Sequence, residues 1–176
     1  LVAGLHTNMI SKSTGYSLRP TYFFYIVSFL LILYSTFLTR SGILGDTSVH
    51  AFTDLGMNTQ LLVFLLIFVI PAFTIFAIRY KSIPSIAKEE ETSSREFWMF
   101  IGSLVLFLAG MVIIAKTSTP VANKLFGTNI APPEDPEFAH NQIQIFVAIV
   151  LGLLTAGTQF LKYKVSDTKQ VLKNIV

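Results

Sequence analysis

The chain has no cysteine, a single tryptophan and few charges, with Asp, Glu, Lys and Arg making up only 13% of 176 residues. Without cysteine there is no disulfide, thiolate metal site or thiol nucleophile within the chain. Soluble domains carry about a quarter charged residues, and halving that fraction leaves too little polar surface for a compact globule in water. A soluble enzyme is therefore excluded. No Gly-rich phosphate loop, Ser/His/Asp set or pair of carboxylates within an apolar run is present, so hydrolase and phosphotransfer machinery is excluded as well. What the chain has in abundance is apolar bulk. Hydrophobic residues are 52% of it, with 16 Phe and 6 Tyr, and the mean hydropathy of +0.63 excludes intrinsic disorder.

Four runs contain no charged residue: 21–39, 61–78, 97–115 and 143–161. Each has 18 or 19 residues. At a rise of about 1.5 Å per residue they reach roughly 27–29 Å, close to a hydrocarbon core of about 30 Å. The fold class is all-α, an integral membrane helical bundle with four full transmembrane helices. Residues 1–10 are apolar and show no basic n-region or A-x-A-like cleavage site. They are expected to be the inner end of a truncated preceding helix, with a missing N-terminal part of the same protein upstream.

The distribution of Lys and Arg sets the orientation. Lys12 and Arg19 precede the first full span; Arg79, Lys81, Lys88 and Arg95 lie in the 79–96 loop; Lys162, Lys164, Lys169 and Lys173 lie in the 162–176 tail. Only Arg40, Lys116 and Lys124 occupy the alternate loops 40–60 and 116–142. The positive-inside rule places the 79–96 loop and the C-terminus in the cytoplasm, with 40–60 and 116–142 outside. The pI near 9.2 is thus a topology signal. No nucleic acid is expected as a partner; the lipid bilayer is.

Several local signals bear on packing. Pro71 inside the second span is expected to kink it, with neighbouring helices satisfying the freed carbonyl. Ala148, Gly152 and Ala156 form a small-residue stripe that allows close approach of another helix. Ser93-Ser94-Arg95-Glu96 reads as a helix cap opening the third span. The outer loop 116–142, with Pro120, Pro132, Pro133 and Pro136, is too irregular for a domain and too short for a core.

Three histidines are the candidates for chemistry. His6 lies at membrane depth, where an ionisable side chain is costly and usually functional. Neutral imidazole is a common haem axial ligand, and helix packing or an interfacial position is the alternative. His50, just outside the first full span, is by itself a loop histidine that is ordinarily solvated. His140 precedes the fourth span and reads as an interfacial anchor. A complete span separates His6 from His50, about 20 Å in depth. Two nitrogens axial to one iron are only about 4 Å apart, twice a metal–nitrogen bond of roughly 2 Å. The two histidines therefore cannot share one haem.

The run STFLTRSGIL, residues 35–44, followed by SVHAF, residues 48–52, resembles the CcmF-type haem-lyase family of cytochrome c maturation. That family shows Gly-Thr-Phe-x-x-Arg-Ser-Gly and then Ser-Val-His-Ala-Phe. Ser94-Arg95-Glu96 and the stretch from Pro133 to Asn141 fall where similar elements fall in the family, so the likeness covers nearly the whole chain. It implies that haem is held on the outer face by two histidines flanking a Trp-rich segment, and that a buried haem b lies between two transmembrane histidines. His50 matches the second outer ligand, and His6, in Ala3-Gly4-Leu5-His6, matches the first buried one. Both would be metal ligands through haem iron.

The Trp-rich segment, the first outer histidine and the second buried histidine are absent; Ser35 stands where the family favours Gly, and the loop before Ser48 is two residues longer. The resemblance makes Arg40 a candidate partner for a haem propionate, with snorkelling to lipid phosphate as the alternative. Phe52 is a candidate cover for a haem edge or a packing residue of its own loop.

The implied function is haem handling for cytochrome c biogenesis, with outer transit haem and buried haem b as cofactors. The implied partners are apocytochrome c and the haem chaperone and thiol-reducing subunits of the maturation system, in a bacterial inner membrane. This piece alone would be inactive as part of a cytochrome c haem lyase, and no residue reads as a dedicated catalytic acid or base. The competing readings are a transporter or channel subunit, in which no span offers a charged carrier, and a purely structural helical bundle.

Overall fold

A computed structural model describes residues 1–45, 56–86, 91–131, 133–164 and 166–167. Among the described residues six α-helices follow one another: α1 (Val2–Thr14), α2 (Leu18–Arg40), α3 (Asn58–Arg79), α4 (Arg95–Thr117), α5 (Thr119–Phe126) and α6 (Pro136–Thr158). No strand occurs among the described residues. Among the described residues four segments are long and apolar enough to cross a membrane: Leu18–Arg40, Asn58–Ser82, Arg95–Thr117 and Pro136–Thr158. This is the multi-pass helical bundle expected from the uncharged runs.

The packing order is set by which faces are small. α1 is wedged between α2 and α4, α3 lies against α2, and α6 lies against α4. On α1 the buried residues are Ala3, Gly4, Thr7 and Ile10, one stripe at helical spacing. A Cβ on Gly4 would stand 3.0 Å from the Tyr25 ring, so α1 approaches α2 as closely as a glycine permits. The hydroxyl of Thr7 donates to the carbonyls of Ala3 and Gly4, so a fully buried polar atom is satisfied within its own helix. α1 ends on Gly15 in the left-handed region, φ 81°. Substitution there would also drive a Cβ to 2.7 Å from Ile86. The chain then reverses and α2 begins at Leu18, giving a tight antiparallel hairpin.

An aromatic seam joins α3, α2 and α4. Phe23 meets Phe76 at 6.2 Å and Phe107 at 5.7 Å between ring centroids, and Phe24 meets Phe107 at 5.4 Å. At the other end of the bundle the Tyr34 hydroxyl and Ser118 Oγ are 2.6 Å apart, and Lys116 Nζ donates to the Ala139 carbonyl at 2.7 Å. These contacts tie α2, α4 and α6 together beside the 116–142 segment.

Several sequence expectations change in detail. The 116–142 loop is partly helical. Pro120 in the first turn and the left-handed Gly127 bracket α5, the proline–glycine asymmetry of a short helix. α6 opens at Pro136, seven residues before the uncharged run, because Asp135 caps it by accepting from the Phe138 N–H at 2.9 Å. Helix α3 continues through Pro71 without a break in its assignment. The stripe Ala148, Gly152 and Ala156 is exposed, and nothing lies within 4 Å of a Cβ placed on Gly152, so it is not used for contact among the described residues.

The cap of α4 sits one residue along from the expected box. Ser94 Oγ accepts from the Phe97 N–H. Glu96, only 1% exposed, turns away from its own helix, and both its carboxylate oxygens accept from the Lys164 N–H at 2.7 and 2.9 Å. The Arg95 N–H donates to the Lys162 carbonyl, and the Lys162 N–H donates to Ser166 Oγ at 2.7 Å. The segment after α6 is thereby folded across the start of α4, where a carboxylate also complements the helix dipole.

Candidate haem-ligand residues

His6 sits in the first half of α1, between the buried stripe and the exposed face formed by Val2, Leu5 and Met9. Its ring is half-buried. Nδ1 lies 3.0 Å from the Val2 carbonyl. A carbonyl only accepts, so Nδ1 carries the proton and donates, and in the neutral ring Nε2 holds the lone pair. That is the tautomer a metal-binding imidazole needs, oriented by a backbone acceptor on its other nitrogen. His6 therefore fits the role of one axial ligand. Among the described residues no group of three or more His, Cys, Asp and Glu side chains converges on a common point.

Arg40 is the last residue of α2 and is exposed. Gly4 is level with Phe24 on α2, and sixteen residues separate Phe24 from Arg40 along that helix. At 1.5 Å per residue the His6 level and Arg40 are about 25 Å apart. The structure thus keeps these two candidates in separate places. His140 lies within α6, half-buried, next to the Ala139 carbonyl that receives Lys116 Nζ. His50 and Phe52 lie outside the described residues. Sequence reading placed Glu96 only in a helix cap and in the family likeness; what it missed is that the carboxylate is buried with its partner 68 positions away.

Comparison with known proteins places these residues in a family. The chain is 31% identical over 155 residues to the cytochrome c-type biogenesis protein CcmF of Pseudomonas aeruginosa, covering 85% of this chain and 23% of that protein. It is 30% identical over 152 residues to CcmF of Haemophilus influenzae, with 85% and 23% covered. To the cytochrome c-type biogenesis protein CycK of Rhizobium meliloti it is 33% identical over 136 residues, with 74% and 20% covered. The chain spans less than a quarter of the length of these curated relatives. No family model matches, and no solved structure matches. Three independent relatives agree along most of a chain whose uncharged runs have become membrane-length helices, and on that ground it belongs to the CcmF-type family of cytochrome c-type biogenesis proteins.

Proposed function

We propose that the chain forms part of a membrane haem-handling protein of cytochrome c maturation, holding haem for covalent attachment to apocytochrome c at the outer face of a bacterial inner membrane. The observation that carries this reading is similarity along 85% of the chain to proteins named for cytochrome c-type biogenesis. In this reading His50 is the axial ligand of an outer transit haem and His6 the ligand of a buried haem b. The lone pair left on His6 Nε2 by the Val2 back-bond supports the second assignment. Haem supplies the vinyl groups, across which cysteine S–H bonds add to give thioethers.

The chain's own residues hold and orient. In this reading His6 would offer one nitrogen from a helix packed between two others, and Arg40, about 25 Å along α2, would serve an outer propionate rather than the buried site. Phe52 would cover the outer haem edge. Apocytochrome c, the haem chaperone and the thiol-reducing subunits are the partners on this reading, with the 79–96 loop and the C-terminal tail cytoplasmic.

The test is a reduced-minus-oxidised Soret spectrum of the native protein that carries this chain, wild type against His6→Ala and His50→Ala. The expected result is loss of the b-type signal in His6→Ala only, with His50→Ala sparing that signal and stopping cytochrome c maturation. Three matching spectra with unchanged maturation would overturn the haem assignment in favour of a structural or transport role.

A further inference from the structure

A cavity of about 600 Å³ opens where α2 begins and α3 ends, and Arg19, Tyr80, Ser85, Thr92, Phe97 and Phe100 are among its lining. Neither His6 nor Arg40 is among its lining. The Arg19 guanidinium lies over the Tyr80 ring, 4.6 Å from the centroid. Stacking fixes the plane of the fork and leaves its N–H groups pointing outward from that plane's edge. Among the described residues Arg19 Nε is buried without a hydrogen-bond partner, while the side chain as a whole is half-buried and lines the cavity.

The walls have two characters. Phe97 and Phe100 supply apolar lining, while Ser17, Ser85 and Thr92 contribute polar residues alongside Arg19. The level matters too. Arg19 is the second residue of one candidate span, and Tyr80 lies in the last turn of the next. A cavity shared by the ends of two spans lies at headgroup depth, where phosphate is the abundant anion.

We propose that this cavity is a phosphate-binding site, in which Arg19 clamps the oxygens of a phosphate group whose remainder rests on the Phe97 and Phe100 side. The phosphate belongs either to an anionic phospholipid or to a soluble phosphate compound. A guanidinium on phosphate gives charge-assisted and commonly bidentate bonds, which is why Arg19 carries the proposal and the nearby exposed Arg79 does not.

The test is native mass spectrometry of the detergent-solubilised native protein that carries this chain, titrated with dioleoylphosphatidylglycerol, alongside thermal unfolding with inorganic phosphate. Wild type is expected to bind the lipid at least about tenfold more tightly than Arg19→Gln, with Arg79→Gln unchanged within about twofold. Ser85→Phe, which fills the cavity and keeps the guanidinium, is expected to lose binding as Arg19→Gln does. It decides the matter if Arg19→Gln fails to fold by circular dichroism. Arg19-dependent stabilisation by inorganic phosphate, without lipid retention, assigns the site to a soluble phosphate. Binding that is absent from wild type, or equal in wild type, Arg19→Gln and Ser85→Phe, overturns the proposal.

Discussion

Helices α2 and α3 lie side by side and teach opposite lessons about hydropathy. The α3 span has a mean hydropathy of 3.0 and none of it is buried within the chain, whereas the α2 span, at 1.8, is 28% buried. In water the more apolar helix would be the core. In a bilayer the lipid tails are as apolar as leucine, so hydropathy alone does not decide burial against protein: α2 buries Thr21, Phe24, Leu30, Phe37 and Leu38, while the most apolar helix is left on the flank. α1 carries the same lesson further, since its buried stripe is Ala3, Gly4, Thr7 and Ile10 while Leu5 and Met9 face outward.

The contrast can be broken most strongly on the α2 side. Phe24 is 7% exposed and its ring touches both Phe23 and Phe107. Phe24→Ala is expected to lower the unfolding free energy in detergent or bicelles by about 3 kcal/mol. Next in size is the tie across the start of α4. Glu96→Ala removes a buried carboxylate that accepts the Lys164 N–H, and the loss is expected to be about 2 kcal/mol by the same measurement. On the flank, Ile70 in α3 is 59% exposed. Ile70→Ala is expected to cost under about 0.5 kcal/mol in lipid, and a loss as large as that of Phe24→Ala would mean α3 has an unseen protein neighbour. The smallest effect is expected for Gly152→Ala. Its added Cβ meets nothing within 4 Å, so the chain's stability should not fall. A fall in cytochrome c maturation with stability intact would show that the Ala148–Gly152–Ala156 stripe receives another helix in the assembled protein.

The four spans were legible because absence of charge over membrane length is a signal that needs no tertiary knowledge. Their ends were less so. An uncharged-run criterion begins the fourth span at residue 143, but a helix begins at its cap, and Asp135 with Pro136 supplied that cap seven residues earlier. The same grammar, Pro120 and Gly127, marked α5 inside a segment read as irregular. His6 was picked out by its depth and by the family resemblance. Its usable tautomer follows from a carbonyl one helical turn back, which the helix assignment brings with it. Glu96 and Arg19 were illegible as site residues because their surroundings come from distant parts of the chain. Lys164 meets Glu96 68 positions away, and Tyr80 meets Arg19 from the far end of α3.

The strap after α6 bears on how the chain is made. The cap of α4 is complete only when Lys162, Lys164 and Ser166 have been synthesised. Helix α4 must therefore enter the membrane with Glu96 still bare, and the carboxylate finds its acceptor's role only after α6 has crossed. Closing so long a loop is slow relative to helix formation. During that interval the α1–α2 hairpin, whose two helices are joined by a short turn, already offers α4 a face to pack against. Ribosomal pausing between codons 117 and 164 would lengthen the exposure of that end to membrane proteases, and a chain stopped short of Lys164 would keep its spans yet lack the latch.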